Sequence, residues 1–227
     1  MRIAGIQKLS MVDFDEHLSA TIFTSGCNFA CPFCHNSSLI GNNNELISED
    51  DILDFLYKRK NMLDAVCISG GEPTLQKDLP QFISKIKKMG YLIKLDTNGT
   101  NPDMIKYLYE NNLIDYVAMD IKNHIEKYQD ITQTNLNLDN ILKSITYIMK
   151  CGIDYEFRTT LINEFHEKSD IIKIGKLIKS AKRYFLQKFV DSENCLSKNL
   201  SPIPKEQAIE FQEILCKYIK NTNLRGY

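Results

Sequence analysis

Three cysteines, Cys27, Cys31 and Cys34, fall within eight residues in the segment Gly26-Cys27-Asn28-Phe29-Ala30-Cys31-Pro32-Phe33-Cys34-His35-Asn36. The other four, Cys67, Cys151, Cys195 and Cys216, are scattered. Thiolates are soft ligands that suit iron–sulfur clusters, zinc or copper. A cubane cluster normally takes four cysteines. Three on one loop would hold three irons and leave the fourth open to a substrate. Zinc would want a fourth ligand, and His35, adjacent to Cys34, would be strained in joint ligation. Cys31-Pro32-Phe33-Cys34-His35 also fits the c-type haem attachment pattern. That haem is attached outside the cytoplasm, and residues 1–15 lack the apolar core of an export signal.

Further groups with chemical potential follow short apolar runs. Ser69-Gly70-Gly71-Glu72-Pro73-Thr74 offers two glycines that let backbone approach a ligand closely. Its Glu72 can meet an ammonium group by a charge-assisted hydrogen bond; alone, such a segment is more often a turn. Leu95-Asp96-Thr97-Asn98-Gly99 and Ala118-Met119-Asp120-Ile121-Lys122 place carboxylates where a buried strand would not welcome them, unless they are solvated strand ends. Arg158-Thr159-Thr160 offers a guanidinium that could orient a ligand or be an ordinary surface arginine.

The elements that position these groups alternate along the chain. Short apolar runs at 20–24, 65–69, 91–96, 116–121, 155–161 and 184–190 predict six strands. Leu79, Phe82, Ile83 and Ile86 have helical spacing with Gly90 as the stop, and Ile141, Leu142, Ile145, Ile148 and Met149 repeat it before Gly152. Ser48 with Asp51 forms a capping-box-like start ahead of Ile52, Phe55 and Leu56. Pro102 and Pro204 suit first helical turns. Ile171, Ile174, Leu177 and Ile178 mark a further helix, and Ala208, Phe211, Leu215 and Ile219 the last. Six strand–helix units predict an α/β fold with a parallel sheet, either open and doubly wound or a partial barrel. The chemically interesting groups then gather at the C-terminal ends of strands, where such folds place their sites. Residues 41–45 and 191–201 read as polar loops.

The 227 residues suit one domain over 1–227. A formal charge of −1 gives no reason to expect a nucleic-acid partner. No apolar run is long enough to span a membrane, and the expected location is cytoplasmic, where cysteines are thiols or metal ligands.

The cysteine spacing Cys-x3-Cys-x2-Cys, with an aromatic before the last cysteine, resembles the signature of the radical S-adenosylmethionine (SAM) superfamily. The resemblance implies a partial (β/α)6 barrel and a [4Fe–4S] cluster on Cys27, Cys31 and Cys34. The open iron would chelate the methionine part of SAM. An electron from the cluster would cleave the sulfonium to give a 5′-deoxyadenosyl radical. By the same resemblance, backbone around Phe33 and His35 faces the adenine, and Gly70, Gly71 and Glu72 form the SAM-amino motif. Asp96, Asp120 and Lys122 look like the SAM-carboxylate corner of glycyl-radical activating enzymes. There the aspartates help bind a monovalent cation. Asn98 and Arg158 are placed among the SAM contacts. Gln187 stands where some activating enzymes have a histidine.

The opening Gly5-Ile6-Gln7-Lys8-Leu9-Ser10-Met11-Val12-Asp13-Phe14, running into Phe23-Thr24-Ser25-Gly26-Cys27, is similar to the activating proteins of anaerobic ribonucleoside-triphosphate reductases. The implied activity is abstraction of a glycine α-hydrogen in that partner, fed by a flavodoxin- or ferredoxin-type electron donor. The alternatives are an activase of pyruvate formate-lyase or another glycyl-radical enzyme, a radical SAM enzyme acting on a small molecule, and a non-catalytic metal-binding module. A second cluster is not expected: Cys67 and Cys216 fall in strand and helix patterns as small apolar residues. Arg225-Gly226-Tyr227 reads as a terminal strand or tail.

Overall fold

The computed structural model describes residues 1–41 and 44–227; part of the polar loop expected at 41–45 lies outside the described residues. Eight strands form one sheet in the order of the chain: β1 (Ile3–Ser10), β2 (Ser19–Thr24), β3 (Ala65–Gly70), β4 (Leu92–Thr97), β5 (Tyr116–Asp120), β6 (Asp154–Leu161), β7 (Tyr184–Lys188) and β8 (Thr222–Arg225). Strands β2 to β8 pair in parallel, and β1 runs antiparallel beside β2. A doubly wound sheet reverses its strand order; this one does not. Sequential right-handed crossovers keep the helices on one face and curl the other inward, which makes a partial barrel of the α/β class.

The helices are α1 (Glu49–Arg59), α2 (Leu79–Lys87), α3 (Pro102–Glu110), α4 (Tyr128–Thr132), α5 (Leu138–Lys150), α6 (Lys168–Leu177) and α7 (Lys205–Cys216). Local chemistry starts and stops them. Ser48 accepts the Asp51 N–H at 3.1 Å and donates to its carboxylate at 2.7 Å. Asn101 caps α3 ahead of Pro102. Gly90 and Gly152 take the positive φ of a helix stop. Pro204 is the N-cap of α7 rather than a first-turn residue.

Strand alternation sorts the side chains. Ile22, Ile68, Ile93, Leu95, Val117, Met119, Phe157 and Leu186 face the helices, where Leu56, Phe82, Ile145, Ile174 and Phe211 meet them in the core. The intervening positions carry Lys94, Asp96, Asp120, Glu156 and Arg158 toward the lumen. Phe14, from the loop between β1 and β2, joins Ala65, Tyr116 and Ala118 in a smaller apolar cluster.

Two strands escape the sequence reading. The outer strand β1 has one partner, and its Gln7, Lys8 and Leu9 are exposed, so no clean alternation marks it. Strand β8 is a four-residue polar segment, in line with the terminal-strand reading of its Arg225. Cys216 is exposed at the end of α7, not packed as a small apolar residue; Cys67 is fully buried in β3.

Candidate functional site

The cysteine loop leaves the top of β2 and is fastened on every side. Gly26 N–H donates to Leu39 at 2.6 Å and Ala30 N–H to Thr132, at the end of α4, at 2.9 Å. Asn28 bridges to Thr100 at 2.9 Å and to Asn98 at 2.8 Å. The polar segment 191–201 packs on the loop: Ser197 N–H donates to the Pro32 carbonyl at 2.9 Å, and His35 Nε2 lies 2.6 Å from the Val190 carbonyl. Cys195 is buried within that segment.

The three loop thiols line one cavity of about 440 Å³ at the C-terminal end of the sheet. The same cavity brings together every other residue singled out from sequence: Phe33, His35, Gly70, Gly71, Glu72, Asp96, Asn98, Asp120, Lys122 and Arg158. Burial pushes the Cys27 thiol up to about 11 and Cys31 to about 12, and raises Cys34 as well. A metal must therefore displace protons to bind them. Among the described residues no three His, Cys, Asp or Glu side chains converge on one ion. Three thiols on one loop are a soft donor set that suits a cluster, whose cysteines bind separate irons. The donor set fits a cubane with one protein-free iron.

The Gly-Gly-Glu segment does something different from what its sequence suggests. A Cβ on Gly70, at φ +106°, would stand 2.4 Å from the Thr24 nitrogen. One on Gly71 would stand 2.0 Å from the Gly26 carbonyl oxygen. The glycines thus let β3 approach the cysteine loop, and Glu72 N–H completes the join by donating to Gly26 at 2.8 Å. The Glu72 carboxylate is 1% exposed and already accepts from Thr74 N–H at 3.1 Å, the Thr74 hydroxyl, Thr97 Oγ1 at 2.7 Å and Asn98 N–H at 2.6 Å. Burial raises its pKa while these donors pull it back. It staples β3 to β4. Asn98 is likewise engaged, its side chain holding Asn28 and Thr100.

The charged corner spans β4, β5 and β6. Arg158 is largely enclosed, its side chain 12% exposed, and is not an ordinary surface arginine. Its Nε donates to Asp120 Oδ1 at 2.8 Å and its Nη1 to Asp96 Oδ2 at 3.2 Å. Lys122 Nζ donates to Asp120 Oδ2 at 3.0 Å and lies 5.8 Å from the centre of the Phe33 ring. Although burial opposes it, the Arg158 and Lys122 charges hold the Asp120 carboxyl well below its usual range. Asp120 likewise outweighs burial in raising Lys122. Asp120, Lys122 and Arg158 are therefore ionised near neutrality. Asp96 Oδ1 is buried with no hydrogen-bond partner among the described residues, and Lys94 Nζ stands 3.7 Å away.

Sequence reasoning missed the residues behind this corner. His166 accepts the Ile162 N–H on Nδ1 at 3.1 Å and lies 3.1 Å from the Lys122 carbonyl through Nε2. Burial lowers its pKa, so the neutral ring donates to that carbonyl and holds Lys122 in place. Phe165 packs 6.1 Å from Phe33. Asp13, Ser69, Thr160 and Gln187 also line the cavity. Of these only Gln187 had a position of its own in the sequence reading; Asp13, Ser69 and Thr160 lie within its motif segments without a role of their own.

Residues 21–175 match the family model of the radical SAM superfamily. A Methanocaldococcus jannaschii protein provisionally named a glycyl-radical enzyme activating enzyme is 38% identical over 98% of this chain and 95% of its own. A second protein of that organism, provisionally named in the same way, is 29% identical over 89% of this chain and 79% of its own. Among solved structures, Streptococcus suis SuiB superposes with a TM-score of 0.70 at 15% identity, covering 89% of this chain and 47% of SuiB; the present chain spans about half of that protein. A domain of a Bacteroides vulgatus pyruvate-formate lyase-activating enzyme gives 0.60 at 18% identity, over 72% of this chain and 99% of the domain. Three thiols on one loop, a charged corner facing them and a matching family model across two thirds of the sequence make one conclusion: this chain belongs to the radical SAM superfamily.

Proposed function

We propose that this enzyme is a glycyl-radical enzyme activase, and that its partner is an anaerobic ribonucleoside-triphosphate reductase. The observation that carries the activase reading is the 38% identity, over nearly the full length of both chains, to a relative provisionally named a glycyl-radical enzyme activating enzyme; the cavity is compatible with it. At about 440 Å³ the cavity falls in the range of a pocket for one small ligand, roughly 300–1,000 Å³. A [4Fe–4S] cluster and SAM, the cofactors of the superfamily, would be housed in it. The hydrogen donor then reaches the rim from outside, carried by another protein. The names of the two Methanocaldococcus relatives support this class of substrate. The choice of reductase rests on the similarity of Gly5 to Phe14 and Phe23 to Cys27 to reductase-activating proteins.

When bound, the cluster and SAM supply one-electron, hydrogen-abstracting chemistry. The residues of this chain do the rest. Cys27, Cys31 and Cys34 hold three irons. Lys122 meets the methionine carboxylate. Gly70, Gly71 and Glu72 form the wall beside the methionine amino group, with the Glu72 side chain serving the wall rather than the ligand. Backbone around Phe33 and His35 takes the adenine, and Asn98 fixes the loop that bears them. Arg158 holds Asp96 and Asp120 in place, and Asp96 Oδ1, which has Lys94 3.7 Å away but no hydrogen-bond donor among the described residues, would receive a monovalent cation. A flavodoxin- or ferredoxin-type protein supplies the electron.

The test mixes reconstituted, reduced enzyme with SAM and a candidate reductase in the absence of oxygen. A doublet radical signal should appear on the reductase, and deuterium at the target glycine should change its splitting. No radical on any glycyl-radical enzyme tested would remove the activase reading; a radical on a formate-lyase but no reductase would replace the partner alone.

A further inference from the structure

Beneath the charged corner, the lumen holds a second layer of charge that no cofactor role accounts for. Glu156, on β6, is 1% exposed. Its carboxylate accepts from the Tyr116 hydroxyl at 3.1 Å and from Arg225 Nη1 at 3.2 Å. Lys94 Nζ lies 3.8 Å away and Arg158 Nη1 4.0 Å. One buried carboxylate therefore faces three cations. Arg225 belongs to β8, the last strand of the sheet. Its guanidinium lies 3.9 Å from the centre of the Phe185 ring, which fixes its direction, and Nη2 reaches Asp15 at 3.4 Å. Asp15 sits on the loop between β1 and β2. The two edges of the sheet, β1 and β8, are not paired, so Arg225 crosses the open seam of the barrel.

The consequence is electrostatic. Arg158 directs two arms to Asp96 and Asp120 and a side to Glu156. Without the Glu156 charge, Arg158 and Lys94 are left to share Asp96 and Arg225 keeps only Asp15 at the seam, so the three cations repel one another in a partly buried lumen. Arg158 is then driven toward the aspartates and competes with Lys122 for Asp120. SAM carries one net positive charge, two cations against one carboxylate, so a more positive lumen also opposes its binding.

We propose that Glu156 and Arg225 are positioning residues that hold the SAM-binding corner from behind and tie it to the open seam of the barrel. The inference rests on the reading of that corner as the SAM site. It is tested on the reconstituted full chain by measuring the SAM dissociation constant by calorimetry, with iron content and melting temperature recorded beside it. Arg225→Met leaves Glu156 without its seam partner and free to draw Arg158 away from Asp96 and Asp120; this displacement outweighs the relief from one fewer cation, so SAM binding should weaken about two- to thirtyfold with iron intact, and Arg225→Lys should recover part of the loss. Glu156→Gln should act in the same direction. The double variant should bind SAM no more weakly than Glu156→Gln alone, because both changes act through one contact. Wild-type affinity in Arg225→Met, or full additivity in the double variant, overturns the proposal. Should Glu156→Gln fail to fold, Arg225→Met and Arg225→Lys, at a partly exposed side chain, still decide it. Lys122→Ala is measured in parallel. Normal SAM affinity there too would mean that the corner is not the SAM site, whereas a loss there with none in Arg225→Met rejects the positioning role alone.

Discussion

Lys122 has two fixed partners and one free direction. Asp120 holds its ammonium at 3.0 Å, His166 holds its backbone carbonyl, and the remaining protons point into the cavity. Lys122→Ala should therefore leave iron content intact and weaken SAM binding. Loss of one charge-assisted contact costs about 1.5–3 kcal/mol, roughly ten- to a hundredfold in dissociation constant. Glu72 makes the opposite case. Its carboxylate satisfies donors from Thr74, Thr97 and Asn98, so Glu72→Ala strands buried groups and should cost roughly 3 kcal/mol of stability or more. Denaturant unfolding of the cluster-free chain reads this. Unchanged stability with lost SAM binding would return the side chain to a ligand role. For the thiols, Ala at Cys27, Cys31 or Cys34 should reduce iron well below about four per chain and abolish SAM cleavage; cleavage retained in any of the three would contradict the cluster assignment. At this scale motif residues were legible because their types are chemically unusual for where they sit. Glu156, His166 and Arg225 were not, because their importance lies in tertiary partners that no local pattern encodes.

At the scale of elements, the segments following β5 and β6 are clamped together. His166 reaches back to Lys122, and Asn123 Nδ2 donates to the Phe165 carbonyl at 3.0 Å. The buried His166 prefers its neutral form. Because its folded pKa lies below the ordinary value of 6.5, the unfolded chain binds the proton more readily. The clamp's contribution is complete above that ordinary value and is lost as pH falls through it toward the folded pKa. The melting temperature should thus drop more between about pH 7.5 and about pH 5.5 in the wild type than in His166→Gln. Equal drops would mean that His166 is not the group involved. Six of the seven parallel strands, β2 to β7, were readable because each is a short apolar run followed by a helical one. Strand β1 was not, since an outer strand with one partner keeps polar residues on much of its surface. Strand β8 was legible only as a terminal strand or tail, because its Arg225 turns inward to a charged lumen and reverses the usual apolar signature.

For the whole molecule, strand and helix alternation predicted α/β with a parallel sheet but left open whether it was doubly wound or curled. Local periodicity is the same in both; only the pairing of successive strands distinguishes them. The sequential order from β2 to β8 turns one polar face inward and stacks charge beneath the cysteine loop. That architecture leaves a cavity open at its rim, where the proposed partner protein would bring its substrate glycine. The most direct measurement follows the abstracted atom. Reduced enzyme is given SAM and a reductase carrying deuterium at the α-carbon of its target glycine, and the 5′-deoxyadenosine formed is analysed by mass spectrometry. The account predicts 5′-deoxyadenosine carrying one deuterium, in step with radical formed on the partner. Unlabelled 5′-deoxyadenosine whose release depends instead on a small metabolite would contradict it.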